Sequence, residues 1–331
     1  MGAVVEALTV LEICAGGGGQ AIGLELAGFT PVGLADIDAD CYVTLCENRP
    51  RWPVYCGDIA HLPSRWLRGG ADLVAGGLPC TPHTRGGRQL GAADERHLWD
   101  AALTIIGDVR PRAVLLETSN AILTARFRDE RVATLERLRD LGYLATWSEI
   151  DCSSYGVPQR RRRAVLVSFC DPVLLRGFKW PQPDPGPPPT VGDTLYRLAK
   201  AEGWFPGAAH WAAGAQDIAP TVVGGSRKHG GADLGASQGK AAWRKLGIDP
   251  MGIADAAPGP DGKYPRGKGI IGDAGETGLM LTVEMAARLQ GFPPDWEFCG
   301  TKTARYRMVG NAFCPPAAEA IGRCIAAALR G

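Results

Sequence analysis

The segment GGLPCTPHTRGG contains the residue best suited to nucleophilic chemistry. Cys80 follows a short apolar run and lies between Pro79 and Pro82, at the head of a loop rich in glycine and arginine. Proline fixes φ, so the two prolines can hold the thiol in one orientation. A thiol is intrinsically nucleophilic, although little of it is thiolate at neutral pH. A cysteine is more often a small core residue, but the flanking prolines favour a catalytic role here.

Charged groups that could assist this nucleophile follow two later apolar segments. Glu117 ends RAVLLET, in a position equivalent to that of Cys80 on a neighbouring predicted strand, where a bound base could share its carboxyl group. PQRRRRAVL places four arginines just before another strand, and alternation along a strand predicts that Arg161 and Arg163 share one face. The alternatives are a surface acid at a strand end and a solvated basic edge.

Four consecutive glycines, Gly16 to Gly19, lie between a predicted strand and a predicted helix in LEICAGGGGQ. Glycine permits positive φ and lets a ligand approach the backbone closely, and the helix N-terminus that follows offers free N–H groups. A flexible turn that binds nothing is the alternative for these glycines taken alone.

Acidic residues at the next two turns favour a nucleoside ligand. Asp36 and Asp38 close the second strand about twenty residues further on, where a ribose-binding carboxylate is expected. Asp58 in GDI could accept a hydrogen bond from an adenine amino group; helix capping is the alternative for each acid. Because no Walker A sequence is present, the pattern favours an adenosine cofactor such as S-adenosyl-L-methionine.

Alternating short apolar runs and helix-like stretches must position these groups. The predicted strands are residues 8–14, 31–37, 72–75, 112–117 and 164–169, and the predicted helices are residues 20–27, 39–47, 97–108 and 127–141. Such alternation predicts an α/β fold with a mostly parallel sheet and helices on both faces. Ligands of such sheets bind at the carboxyl ends of the strands.

The character of the chain changes after residue 171. Six prolines lie between Pro181 and Thr190, and the residues from there to Leu279 are rich in glycine, proline and basic residues with little periodicity. This composition predicts a small irregular second domain. An amphipathic pattern returns at residues 281–289, and residues 315–329 form a strongly predicted terminal helix.

Composition excludes several classes of protein. The net charge of the 331 residues is +1, which argues against a uniformly basic binder but not against a local basic cleft. No apolar run of membrane-spanning length is present, so no membrane partner is expected. The ten cysteines are scattered without a CxxC pair, so we expect neither a metal site nor a disulfide scaffold, and a reducing cytoplasm fits better.

Together these motifs resemble the cytosine-C5 DNA methyltransferase family of bacterial restriction–modification systems. Eight blocks occur in the family's order and span residues 8 to 325: EICAGGGG, ADID, GDI, GGLPC, LLET, PQRRRR, LTVEMAARLQGFP and VGNAFCPPAAEAIG. The resemblance implies a Rossmann-like S-adenosylmethionine-dependent methyltransferase sheet with a small irregular target-recognition domain. It assigns residues 1–175 to catalysis and cofactor binding, 176–279 to target recognition, 280–300 to packing the two domains, and 301–331 to a segment that returns to the catalytic domain.

The resemblance also implies the reaction and the site residues. A cytosine would be flipped out of duplex DNA, Cys80 would attack its C6, Glu117 would hold N3 and the amino group, and Arg163, with Arg161 beside it, would complete the catalytic set. The implied cofactor-binding residues are Cys14, Ala15, Gly16, Gly18, Gly19, Asp36, Ile37, Asp58, Ile59, Pro79, Asn311 and Ala312. The implied DNA-binding residues are Arg85, Arg88, Arg227, Lys228, Lys240 and Arg244. The expected protein is a cytoplasmic monomer that acts on double-stranded DNA. A cognate restriction endonuclease that acts on the same site is a further possible partner, which the sequence does not identify.

Several positions depart from the family's pattern. Thr81, His83 and Thr84 replace the Gln and the Phe-Ser usual after the nucleophile, and Thr118 and Ser119 replace the Asn-Val usual after the glutamate. Phe is common where Cys14 stands. The lost Asn normally helps to hold the nucleophile loop, and a Thr118 hydroxyl could replace only one of its hydrogen bonds.

These departures leave alternatives open. The chain could be a catalytically weak DNA-binding relative, or it could use an unusual donor or a modified base; an RNA-directed enzyme with the same chemistry is a further alternative. A nicotinamide-dependent oxidoreductase is disfavoured because GGGGQ fits GxGxxG poorly. Methylation of an exocyclic amine is disfavoured because no Asp-Pro-Pro-Tyr-like segment is present.

Overall fold

Seven strands form the sheet of this computed structural model, which describes residues 7–63, 66, 70–79, 98–224, 232–265 and 278–331. The strands are Leu8–Ile13 (β1), Phe29–Asp36 (β2), Val54–Cys56 (β3), Leu73–Gly77 (β4), Ala113–Ser119 (β5), Leu144–Asp151 (β6) and Arg162–Phe169 (β7). Their order in the sheet is β3-β2-β1-β4-β5-β7-β6. The first five strands are parallel to one another, and β7 runs antiparallel to both β5 and β6. The predicted α/β class with a mostly parallel sheet is therefore confirmed.

Helices form much of the rest of the described chain. They are Gly19–Leu26 (α1), Ala39–Asn48 (α2), Trp99–Val109 (α3), Arg128–Asp140 (α4), Pro172–Gly177 (α5), Val191–Ala199 (α6), Phe205–Gly214 (α7), Ser237–Arg244 (α8), Val283–Leu289 (α9), Lys302–Asn311 (α10) and Pro315–Arg330 (α11). Several begin at a side-chain cap that accepts a free backbone N–H: Asp38 caps α2, Thr190 caps α6 and Thr301 caps α10.

One face of the sheet packs on α3 and α4. Leu11 and Ile13 of β1 lie in the same buried cluster as Leu103 of α3 and Leu138 of α4. Because side chains alternate along a strand, Glu12 points to the opposite face. β1 therefore contributes Leu11 and Ile13 to this buried cluster and the Glu12 carboxyl group to the other side of the sheet.

The chain divides into two compact units. The first comprises Met1–Asp151, Arg162–Gln182 and Pro315–Gly331, and the second comprises Cys152–Arg161 and Pro183–Cys314. The first contains the whole sheet and its terminal helix α11. This division does not test which residue ranges serve catalysis and which serve target recognition, so that assignment remains a prediction.

The second unit is built from α6 to α10 and the loops between them. Trp243 and Tyr306 are fully buried in it, and the Trp211 indole N–H donates to the Leu246 carbonyl at 3.0 Å. The sequence predicted little regular structure between residues 190 and 279, yet α6, α7 and α8 lie there. α7, FPGAAHWAAG, has mostly alanine and glycine in place of a clear apolar stripe, which explains why periodicity did not reveal it.

One segment of the described chain, Lys302–Arg330, is long and apolar enough to cross a membrane by length and composition. It consists of α10 and α11, which are separate helices, and 67% of its most apolar window is buried inside the fold. Its apolar residues are thus explained by packing within the protein.

Candidate active site

The glycine loop between β1 and α1 has the backbone conformation that its glycines predict. Cys14, Gly16 and Gly18 have φ values of 53, 54 and 89°, in the left-handed region that favours glycine. The Gly16 N–H donates to Asp36 Oδ2 at 2.7 Å, and the Ala15 N–H donates to a carbonyl of β2 at 3.0 Å. Hydrogen bonds to the neighbouring strand therefore fix the loop.

Buried acids surround this loop. Glu12 is 1% exposed, and burial, followed by the charge of Asp36, raises the pKa of Glu12 from 4.5 to about 8. Burial also raises the pKa of Asp36 and of the Cys14 thiol, to which the charges of Asp36, Glu12 and Asp58 add. A group of acids held this close to one another favours a positively charged ligand, because an opposite charge stabilises their ionised forms.

Two buried side chains beside the loop also have unused hydrogen-bonding capacity. Both carboxyl oxygens of Glu12 and both polar atoms of the Gln20 amide are buried without a hydrogen-bond partner in the part of the chain that the structure describes. Leaving such groups unsatisfied costs about 1–3 kcal/mol each. A ligand with a cationic group and further polar atoms would satisfy them, so these residues fit a cofactor with those features.

The acids at the ends of β2 and β3 also have local structural roles. Asp36 accepts a second hydrogen bond, from the Asp38 N–H at 2.8 Å. Asp38 caps α2, and Asp58 caps the short 3-10 turn Ile59–His61 by accepting from the Ala60 N–H at 2.9 Å. Asp38 and Asp58 therefore both cap helical turns, while a contact between Asp58 and a ligand remains a prediction. Ile37, between Asp36 and Asp38, is 73% exposed and offers an apolar surface next to the loop.

A buried ion pair lies near the carboxyl ends of the parallel strands, between β5 and β7. Glu117 on β5 and Arg163 on β7 place Oε1 and Nε 2.9 Å apart, with 4% and 14% of the two side chains exposed. The antiparallel register pairs Ser119 with Arg163, which brings the arginine within reach of the glutamate two residues earlier. The guanidinium therefore lies directly beside the carboxylate and holds it in one orientation.

The chain that follows β4 is anchored to the same strand. The Leu78 N–H donates to the Glu117 carbonyl at 2.8 Å, and the Thr118 hydroxyl donates to the Leu78 carbonyl at 3.3 Å. Both backbone groups of Leu78 are therefore held by consecutive residues of β5. Pro79 is the last described residue of this segment; Cys80, Arg85 and Arg88 lie outside the described residues.

The four consecutive arginines do not divide as alternation predicted. The expectation that Arg161 and Arg163 share a strand face is wrong, because β7 begins at Arg162. Arg161 is fully buried, and its guanidinium donates to the carbonyls of Val222, Gly310 and Ala312 at 3.0, 3.0 and 2.7 Å. It joins backbone segments of the second unit. Its neighbours form exposed ion pairs: Arg160 with Asp217 at 3.5 Å, and Arg162 with Asp151 at 3.2 Å.

The remaining predicted residues lie in the second unit. Asn311 is exposed at the end of α10, next to Ala312, and a Cβ on Gly224 would lie 2.4 Å from Asn311 Oδ1, so Gly224 permits this close approach. Lys240 pairs with Asp233 at 2.9 Å, which offsets its charge, whereas Arg244 is exposed and its Nη2 donates to the Met251 sulfur at 3.8 Å. Arg227 and Lys228 lie outside the described residues.

Sequence reasoning missed two residues of this site, Glu12 and Gln20. The signal for Glu12 was present, because an acid inside the apolar strand LTVLEI has to be buried. Gln20 gave no signal of its own, since a glutamine in the first turn of a helix is usually solvated. Both follow from the geometry of the glycine loop, which only the folded chain defines.

Comparison with known proteins gives a consistent result. The model of a family described as C-5 cytosine-specific DNA methylase matches residues 8–211 and 266–327. The chain is 47% identical to the Type II methyltransferase M.NaeI of Lentzea aerocolonigenes, over 98% of this chain and 76% of that protein. It is 39% identical to the Type II methyltransferase M.NgoMIV of Neisseria gonorrhoeae, over 97% and 98% of the two chains. A solved variant of Spodoptera frugiperda DNMT2 has the same fold, with a TM-score of 0.64, 15% identity, and coverage of 96% of this chain and 99% of that chain.

Proposed function

The chain belongs to the C-5 cytosine-specific DNA methylase family, and from this premise we propose that it methylates C5 of a flipped-out cytosine in duplex DNA through a covalent bond to Cys80. The observation that carries the proposal is the buried Glu117–Arg163 pair at 2.9 Å. Glu117 lies on β5, the strand that also anchors Leu78, and Leu78 is two residues before the proposed nucleophile.

S-adenosyl-L-methionine is the proposed methyl donor, and when bound it supplies an electrophilic methyl group on a sulfonium. The acids around the glycine loop favour such a cation, and Glu12 and Gln20 have unused polar atoms for it. We propose that Gly16, Gly18 and Gly19 let it approach the backbone, and that Asp36 and Asp58 bind its nucleoside. The further proposed contacts are Cys14, Ala15, Ile37, Ile59, Pro79, Asn311 and Ala312.

The protein's own groups supply the remaining chemistry. C5 of cytosine is a poor nucleophile, and addition of the Cys80 thiolate to C6 forms an S–C bond that makes C5 electron-rich. Glu117 holds N3 and the amino group of the base, and Arg163 fixes the carboxylate and contacts the base oxygen O2. After C5 is methylated, loss of its proton and departure of the thiolate restore the aromatic ring. Arg161 acts here as a positioning residue, because both Nη groups of its guanidinium donate to backbone carbonyls.

The biological setting follows from the relatives. M.NaeI and M.NgoMIV are named Type II methyltransferases, so we propose that the chain acts in a restriction–modification system, on double-stranded DNA in the cytoplasm and as a monomer, with a cognate endonuclease directed at the same site. The second unit is the proposed target-recognition part, in which exposed Arg244 is the candidate for a phosphate or base contact.

Methylation mapping tests the proposal directly. Genomic DNA from cells that express the protein should contain 5-methylcytosine at one short sequence, and Cys80→Ser should abolish the mark while cofactor binding persists. A target duplex with 5-fluorocytosine should form a covalent complex with the wild-type protein. Glu117→Gln should lower the rate by about 10²-fold or more, the usual scale of acid–base assistance.

The outcomes separate the alternatives. DNA binding with neither a methylated base nor an adduct would indicate a catalytically weak relative. A methylated base without trapping at the mapped site would exclude the Cys80 adduct, and labelled transfer to tRNA rather than duplex DNA would indicate an RNA-directed enzyme.

A further inference from the structure

Two adjacent glycines end β4, and an added side chain would meet very different surroundings at each. A Cβ on Gly76 would lie 2.6 Å from Ile13 Cγ1 and 2.8 Å from the Ile13 carbonyl oxygen, so packing against β1 excludes a side chain there. A Cβ on Gly77 would lie 3.4 Å from Glu117 Oε2 and 3.7 Å from the Cys14 carbonyl oxygen, and no other described atom outside its chain neighbours lies within 4 Å. Gly76 is required by the core, whereas a Cβ on Gly77 would meet only these two atoms among the described residues.

These two atoms belong to the two halves of the proposed site. Cys14 is part of the glycine loop, which carries the proposed cofactor contacts. Glu117 is the proposed base-binding carboxylate. The Cβ position of Gly77 therefore lies between the loop and the carboxylate, within van der Waals distance of both.

The backbone at Gly77 cannot easily move to accommodate a side chain. Gly77 is paired in register with Glu117 in the parallel ladder. The next residue, Leu78, is 2% exposed, and both its N–H and its carbonyl are hydrogen-bonded to β5. An added methyl group would thus remain where the Cβ vector places it. Gly77 is not among the residues with positive φ, so backbone strain does not explain the glycine.

We propose that Gly77 is a steric positioning residue, whose missing side chain keeps open the space in which the methyl donor and the target base meet. The inference rests on the proposed function, because it takes the glycine loop as the donor side and Glu117 as the base side. A methyl group at this position would leave room for either ligand alone but would separate the two when both are bound. The effect should fall on the transfer step, since displacement of reacting groups by about 1 Å can cost about 10²-fold in rate.

Gly77→Ala is the variant that tests this inference. We expect it to fold with a melting temperature close to that of the wild type, because its contacts at 3.4 and 3.7 Å are ordinary ones. Its dissociation constants for S-adenosylhomocysteine and for a target duplex, measured separately, should change by less than about threefold, whereas the single-turnover methylation rate should fall by about 100-fold. Gly77→Ser should be slower than the wild type in the same assay, with the same separation of rate from binding.

Two other glycines serve as controls. Gly177→Ala, at an exposed position where nothing lies within 4 Å of the new methyl group, should leave stability and rate unchanged. Gly76→Ala should lower the melting temperature, because it forces a core contact. The inference is overturned if folded Gly77→Ala transfers methyl groups at the wild-type rate, if it loses cofactor binding in proportion to rate, or if it is as unstable as Gly76→Ala. A wild-type protein that makes no 5-methylcytosine would instead refute the proposed function, which the mapping experiment decides independently.

Discussion

The buried carboxyl group of Glu12 should make the stability of this protein depend on pH. Its pKa of about 8 in the folded chain exceeds its ordinary value of 4.5, so the folded state binds a proton more tightly than the unfolded state does. The stability associated with that proton is fully present below pH 4.5 and is lost as the pH rises through about 8. A cationic ligand reverses this preference, because it favours the carboxylate.

Glu12→Gln should therefore separate stability from cofactor binding. The neutral amide removes the cost of ionisation, so the melting temperature of the ligand-free variant should exceed that of the wild type at about pH 9 and match it near pH 5. Affinity for S-adenosylmethionine should fall about 10-fold to 100-fold, the value of a hydrogen bond to a charged group. Calorimetric titration and thermal unfolding across this pH range measure both effects.

Glu25→Gln is the matched control for Glu12→Gln. Glu25 lies on α1, pairs with Arg49 at 3.0 Å with about a third of each side chain exposed, and accepts from the Trp52 indole N–H at 3.2 Å. Glutamine keeps an oxygen acceptor for the indole, so the loss of the charge should change little. Equal cofactor affinity in Glu12→Gln and wild type would remove Glu12 from the cofactor site. A stability difference independent of pH would show that Glu12 is not the titrating group.

At the scale of elements, the contact between α1 and α11 supports the glycine loop. A Cβ on Gly23 would lie 2.5 Å from Ala318 Cβ and 2.5 Å from the Pro315 carbonyl oxygen, and a Cβ on Gly322 would lie 2.8 Å from Ala27 Cβ. Each helix therefore has a glycine at which the other helix lies too close to admit a side chain. Since α1 begins at the last glycine of the loop, a displacement of this helix displaces the loop as well.

Gly23→Ala should show that connection. The added methyl group overpacks the helix contact at a cost of about 1–3 kcal/mol, which lowers the melting temperature by about 2–10 °C, and the shift of α1 should weaken S-adenosylmethionine binding. Gly214→Ala, at the end of α7 with nothing within 4 Å of the new atom, should change neither quantity. Thermal unfolding and calorimetry of both variants give the comparison, and unchanged stability of Gly23→Ala would contradict the close packing.

The elements also show which parts of the fold the sequence could predict. Strongly apolar or clearly amphipathic segments were predicted within a few residues: 8–14 is β1 at Leu8–Ile13, and 39–47 is α2 at Ala39–Asn48. β6, LATWSEID, was not predicted, because it lies at the sheet edge with mostly half-exposed side chains. β3 has only three residues, too few for a periodic pattern.

The candidate site was predictable to the same degree. The sequence predicted that Asp36 and Glu117 close their strands: Asp36 is the last residue of β2, whereas Glu117 lies two residues before the end of β5. Nothing in RRRR distinguishes one arginine from the next, and the choice depends on tertiary partners: carbonyls of the second unit for Arg161 and a carboxylate for Arg163. The space at Gly77 was equally hidden, because a glycine pair in sequence does not show which member faces the core.

At the scale of the whole molecule, the direction of β7 explains why the site forms at one edge of the sheet. The carboxyl ends of the parallel strands β1, β2, β4 and β5 lie along that edge. Because β7 is antiparallel, its beginning, not its end, reaches the same edge, and Ser119 at the end of β5 pairs with Arg163 near the start of β7. A parallel β7 would have left the arginine at the opposite edge.

Hydrogen exchange with and without S-adenosylhomocysteine should show which segments of the chain contact the cofactor. Binding stabilises the groups it touches, by about 2.7 kcal/mol at a hundredfold excess over the dissociation constant, so amide exchange should slow at the glycine loop, at the end of β2 and at the turn that Asp58 caps. If Asn311 and Ala312 complete the pocket, as the family resemblance implies, exchange should also slow at the end of α10. α7 and α8 serve as internal controls and should exchange at the same rate in both states. Protection confined to the second unit, with none at the loop, would contradict the assignment of the donor to β1 and α1, and protection of the loop without α10 would remove Asn311 from the site.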